Sequence, residues 1–254
     1  MAQANAYSSG VVALTGSQPT LTRIPIRPDR YFLATALTNE VAPTGRFLFT
    51  IGSGKRRQTM FHGNTMQDNN ALGDGNEPFY LWSGFLFLPR DEILLVQDDT
   101  SGSTNTTSIA LHGYDLTRGE AEAWIRKGQQ HVSYSFLGQT ITSNGASASI
   151  GTRLRYRPWR MRALTVRATS DFDVQVQRGD GVAIFDLAVR QASINGTPQR
   201  PADLHGDGWP TGPNGTLLTI LTSRAAGSNT ITIGYHGEEE LDIEREVARL
   251  IKAE

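Results

Sequence analysis

Residues 108–113 read S-I-A-L-H-G, residues 232–237 read T-I-G-Y-H-G, and each hexapeptide runs on through acidic residues into a helix-like segment. Their histidines, His112 and His236, stand 124 positions apart. Upstream, Thr22, Arg23, Arg27 and Pro28 recur as Thr152, Arg153, Arg157 and Pro158, an offset of 130, and each set leads into an apolar run. Start and end markers at nearly equal offsets imply one module written twice. The 254 residues are therefore expected to divide into an arm (1–18), a first module with its closing helix (19–131) and a second module with its own (132–254). Modules of this size can each bury an adequate core.

Composition points to strands. The chain has 26 Gly and 11 Pro with 19% charged and 38% apolar residues, a balance suited to short strands joined by tight turns rather than to helical bundles. Strand-like runs fall at 31–37, 46–51, 79–88, 92–96 and 107–111, then at 161–168, 172–177, 182–189, 216–222 and 229–235. In the clearest, Phe172, Val174 and Val176 alternate with Asp173, Gln175 and Gln177, which places one face in a core and the other toward solvent. Two long polar excursions, 63–77 and 195–214, exceed the usual connector length and read as interfacial or functional loops.

Each module should close with a helix. Thr117 and Glu120 have the spacing of a capping box, followed by Ala121, Trp124 and Ile125 as a short apolar face. Asp242 is placed to cap a second helix whose Ile243, Val247, Leu250 and Ile251 lie on one stripe. That stripe is expected to cover the helix's own sheet or to dock on a neighbouring subunit. The residues before 19 read as a loosely held arm, with an edge strand possible over 11–14. The fold class is all-β, two tandem β-sandwich (jelly-roll-like) domains, each followed by a short α-helix.

Several chemistries are excluded by residue content. With no cysteine, disulfide frameworks, thiolate zinc sites and Cys nucleophiles are ruled out. A net charge of −1 gives no global drive toward nucleic acid or anionic membranes. No apolar stretch approaches the roughly 18 to 20 residues that span a bilayer, and residues 1–10 lack the charged and apolar regions of a secretion signal. A soluble protein made in a reducing cytoplasm is the expectation.

No motif of a hydrolase, zinc protease or phosphate-binding loop occurs. His112 with Asp115, and His236 with Glu238, invite a metal reading. Neither copy offers two or three ligands at short fixed spacing, so the histidines are expected to cap turns at strand ends. Asp98 and Asp99, and Glu238 to Glu240, are expected in turns or at a helix start, where they stay solvated or favour the helix dipole. No catalytic residue, metal or cofactor is assigned.

Two surface features remain. Arg153, Arg155 and Arg157 would share a strand face, followed by Arg160 and Arg162; arginines so arranged suit bidentate pairing across an interface. With Ile243, Val247, Leu250 and Ile251 they form the candidate interface set. Tyr80, Trp82 and Trp209 form the alternative, rings on which a sugar could stack.

The order of features over residues 85–114, an apolar run, Pro89, a short strand, a polar loop and a closing strand ending in His-Gly, resembles structural proteins of bacteriophage virions with tandem β-sandwich or jelly-roll domains. The resemblance covers roughly residues 22–114, with a weaker echo in the second half. It implies a non-enzymatic capsid-associated, neck or tail protein that forms a symmetric homo-oligomer with other virion proteins as partners, assembled in the host cytoplasm. Tandem jelly rolls also build the major capsid proteins of tailless phages, a second role that this resemblance implies. A carbohydrate-binding module for host adsorption is the rival reading.

Overall fold

The computed structural model describes residues 2–15, 19–41, 47–54, 58–64, 79–99, 104–141, 147–153, 158–168, 171–178, 183–189, 202–203, 209–211, 216–224 and 226–252. The first half contains β1 (Gln3–Ser8), β2 (Val12–Thr15), β3 (Thr20–Pro25), β4 (Tyr31–Val41), β5 (Phe47–Ser53), β6 (Gln58–Asn64), β7 (Phe79–Phe87), β8 (Glu92–Asp99), β9 (Thr104–Leu116) and α1 (Arg118–Ile125). The second contains β10 (Gln129–Ile141), β11 (Ser147–Arg153), β12 (Trp159–Ala168), β13 (Phe172–Arg178), β14 (Ala183–Val189), β15 (Ala202–Asp203), β16 (Trp209–Thr211), β17 (Thr216–Ser223), β18 (Asn229–Glu240) and α2 (Ile243–Lys252).

The sheets run β1-β9-β4-β7, with β2 also on β9, and β3-β8-β5-β6; then β10-β18-β12-β15, with β16 also on β12, and β11-β17-β13-β14. With β2 and β16 set aside, the strands of each half can be numbered one to eight in chain order. Both halves then read 1-8-3-6 in one sheet and 2-7-4-5 in the other. This is the eight-stranded, two-sheet jelly roll, formed twice. The sequence echoes fall on equivalent strands: Arg23 lies in β3 and Arg153 in β11, while His112 lies in β9 and His236 in β18.

The glycine of each hexapeptide has a steric reason. A β-carbon on Gly113 would lie 1.9 Å from the Leu33 carbonyl oxygen, and one on Gly237 would lie 2.0 Å from the Arg160 carbonyl oxygen. Only glycine lets the neighbouring strand pass so close. Opposite Gly113 the register of β4 against β9 shifts between Ala34 and Ala36, a bulge that re-aims β4. Both strands therefore continue through His-Gly instead of ending there, β9 to Leu116 and β18 to Glu240. This corrects the expectation that the histidines cap turns: both lie within strands.

The chain forms two compact units, Met1–Ser133 with Glu238–Glu254, and Tyr134–Gly237. In the first, Phe32, Leu37, Phe85, Phe87 and Leu111 of one sheet pack on Ile51, Ile93 and Leu95 of the other, and Phe85 meets Phe87 edge-on at 5.1 Å. The opposite face of the β1-β9-β4-β7 sheet is also apolar: Tyr31, Leu86 and Leu116 lie under Ala121, Trp124 and Ile125 of α1 and Leu250 of α2. The capping box is present, with the Glu120 amide donating to the Thr117 hydroxyl and the Thr117 amide to the Glu120 carboxylate at 2.9 Å. That amide holds the Glu120 carboxyl below its ordinary value. At α2 the Arg245 amide donates to Asp242 at 3.1 Å, the expected cap. Helix α2 packs on α1 in the first unit.

In the second unit the alternation of β13 holds, with Phe172, Val174 and Val176 buried. Trp159, Met161 and Tyr235 of one sheet and Leu217 and Leu221 of the other are buried as well. The hydroxyls of Tyr235 and Thr219 bond to each other and tie the two sheets together; burial pushes the Tyr235 phenol up to about 12. The excursion at 195–214 was expected to be a loop, yet it contains β15 and β16, both paired with β12. Among the described residues β16 pairs with β12 alone, the one-sided pairing in which a strand tolerates Pro210. Of the excursion at 63–77, residues 63–64 end β6 and the rest lies outside the described residues.

Candidate assembly surfaces

The arm is anchored rather than loose. β1 and β2 both pair with β9, from Gln3 opposite Asp115 to Ser8 opposite Ala110, then from Val12 opposite Thr107 to Thr15 opposite Thr104. Four steps on the arm face three on β9, so residues 9–11 form a bulge, with Gly10 at φ 64. The bulge turns Val11 outward, 80% exposed. Ser9 is fixed on both sides: its amide donates to Ile109 O at 2.9 Å and its hydroxyl accepts from Ile109 N at 3.0 Å.

Side chains add a few anchors. Asn5 donates to Asp115 Oδ2 at 2.8 Å, and the Tyr7 hydroxyl accepts from the Arg27 amide at 3.3 Å. The Tyr7 ring stands edge-on to Phe32 at 4.6 Å. Arg27 Nη1 lies 3.7 Å from Asp115 Oδ2. Beneath β2, Leu14 is buried with Val12 against it.

The arginine series is not one stripe. Arg153 ends β11 opposite Thr216 in one sheet, whereas Arg160 and Arg162 lie half-buried in β12 of the other. Arg155 and Arg157 fall outside the described residues. Pro158 lies between the two strands, and a connection that changes sheet cannot keep one face. The α2 stripe also divides: Leu250 is buried and Ile243 and Val247 pack against the α1 cluster, while Ile251 is 57% exposed. Of that stripe Ile251 is the residue presented outward.

The aromatic candidates divide in the same way. Tyr80 and Trp82 share the outer face of β7, 68% and 39% exposed, and Leu81 between them is core. The Trp82 ring is stacked on His131 at 5.8 Å and 4° between planes, which fixes its orientation. Trp209 belongs to β16 in the other unit, and its side chain lies outside the description.

The titratable candidates are structural in setting. His112 Nε2 and the Thr38 hydroxyl are 2.8 Å apart across β9 and β4. His236 is fully buried, and Glu238 and Glu239 are buried in β18 rather than solvated in a turn; Glu238 accepts from the Ser83 hydroxyl. Asp98 and Asp99 likewise end β8 rather than lie in a turn. His131, which the sequence reading did not single out, is fully buried, and burial pushes its imidazole down to about 3. Among the described residues no three His, Asp or Glu side chains converge as a metal site. No described helix is long and apolar enough to cross a membrane.

No protein-family model matches the chain, and no curated protein sequence matches it significantly. Among solved structures it is similar to the STIV MCP, at 12% identity and a TM-score of 0.47, covering 96% of this chain and 99% of that one. The major capsid protein of bacteriophage PM2 gives 11% identity and a TM-score of 0.47 over 94% of this chain and 99% of that one. A subunit of the PBCV-1 virus capsid gives 12% and 0.29 over 95% and 96%. The jelly-roll assignment rests on this chain's own strand order, not on these likenesses.

Proposed function

We propose that this chain is a non-enzymatic structural subunit of a virus particle, most simply a phage, that assembles through its own surfaces into a symmetric oligomer. One observation carries the reading: the same eight-strand order occurs twice in one polypeptide. A duplicated sandwich presents two similar sets of patches from one chain, and homo-oligomers close by burying repeated patches. Jelly rolls recur in capsid proteins, and that analogy supports a shell role ahead of a neck or tail role. The polar groups best placed for chemistry are committed elsewhere, His112 to Thr38 and Glu238 to Ser83. Partners are then other copies and other virion proteins, and the site of action is the virion, assembled in the host cytoplasm. Light scattering on the purified chain tests this: a discrete mass several times the 27.8 kDa of one chain is expected, and a monomer at all concentrations would refute it.

A second reading has one observation in its favour, the exposed Tyr80 and Trp82 on one strand face. Rings two residues apart on a strand stand roughly 7 Å apart, near the length of one sugar residue, and the His131 stack holds Trp82 ready. A carbohydrate site there predicts glycan-array binding that Trp82→Ala abolishes and Ile251→Ala leaves intact. An array without signal removes the reading.

A further inference from the structure

We infer that the arm made by β1 and β2 is exchanged between copies of this chain, residues 3–15 of one copy completing the β9 edge of another. The inference rests on the self-assembly reading and names the partner of one surface. In the single chain the arm folds back on its own β9, and among the described residues all its strand pairing is with that strand. A second copy's arm would make the same pairing, so exchange between identical chains loses no hydrogen bond.

Two observations ease the opening of the arm through which exchange must pass. Asp115, opposite Gln3, is 4% exposed, yet its Oδ1 has no hydrogen-bond partner. Gln97 of β8, the strand on which β2 packs, is fully buried with both its amide nitrogen and oxygen unpartnered. A buried polar group left unsatisfied opposes its own burial, and lifting β1 off β9 opens Asp115 to water. The arm thus detaches more easily than its length of pairing implies.

What occupies the vacated edge follows from the fit already present. Residues 3–15 match β9 in register, place Asn5 on Asp115 and Tyr7 on Phe32, and bury Leu14. The occupant is therefore the arm of a second copy rather than an unrelated strand.

The absence of cysteine makes the test direct. Ala13 and Thr106 are register partners and both are exposed. Single-cysteine variants Ala13→Cys and Thr106→Cys, one of them carrying an affinity tag, are refolded together, concentrated into the oligomer and oxidised. Disulfide-linked hetero-dimers as the main oxidised product are expected, with the same result from the partners Ala4 and Tyr114 as Ala4→Cys and Tyr114→Cys. The double variant Ala13→Cys/Thr106→Cys would then link chains in the oligomer. If the double variant instead closes wholly within one chain and the mixed singles give no hetero-dimer, while the oligomer persists by light scattering, exchange is overturned and self-assembly stands. If no oligomer forms, both fall together.

Discussion

Replacing Gly113 or Gly237 with alanine is expected to lower stability by at least about 3 kcal/mol, toward the upper end for single substitutions. The added carbon would meet a carbonyl oxygen at 1.9 or 2.0 Å. The obstacle is backbone in the neighbouring strand, which cannot turn away as a side-chain tip can. The strand pair must separate, and ladder hydrogen bonds are lost with it. Gly119 in α1 supplies the control, since a β-carbon there meets nothing within 4 Å; Gly119→Ala should stabilise by up to about 1 kcal/mol. Denaturant titrations followed by circular dichroism read all three. Wild-type stability in Gly113→Ala or Gly237→Ala would mean that the strands do not approach as described.

Acid should weaken the first unit through His131. The unfolded imidazole titrates near 6.5 and the folded one at about 3. Above pH 6.5 both states are neutral and the residue contributes no pH dependence. Below it the unfolded state takes up a proton that the folded state refuses, so stability falls by about 1.4 kcal/mol per pH unit until the folded value is reached. Between pH 6.5 and 5 this amounts to about 2 kcal/mol, and by pH 3 to roughly 4–5 kcal/mol. His131→Phe keeps a ring for Trp82 to stack on and removes the titration. Its stability between pH 6.5 and 5 should be flatter than that of the wild type by about that 2 kcal/mol. Parallel curves for the two proteins would show that His131 is not buried neutral.

The repeat was legible because a glycine demanded by a close strand crossing leaves a mark at the same place in each copy. So were the capping box at Thr117 and the alternation of β13, which depend on local spacing. What stayed hidden depended on partners distant in sequence. A histidine beside glycine looks like a strand end until the opposing bulge in β4 is seen. β15 and β16 fall in a stretch written with Pro201, Gly206, Gly208 and Pro210, which reads as loop, and of these Pro210 stands within β16, as an edge strand tolerates. The acidic run from Glu238 looks solvated, yet β18 carries Glu238 and Glu239 into buried positions with Ser83 as one donor. The arginines from 153 to 162 look like one stripe because sequence does not show the change of sheet at Pro158. His131 gave no signal, since its environment is made by β7 and β10 together.

Surfaces followed the same rule. The apolar stripe of α2 was visible, but its partner, α1 of the first unit, was not. The arm read as loose because its side chains are small and polar, while its order comes from backbone pairing with β9 and from the Ser9–Ile109 bonds.

Electron cryomicroscopy of the purified native assembly tests the central claim most directly. The account predicts a closed symmetric oligomer in which every subunit shows two sandwiches with strand orders 1-8-3-6 and 2-7-4-5. Separate monomers, or subunits whose second half follows a different strand order, would contradict it.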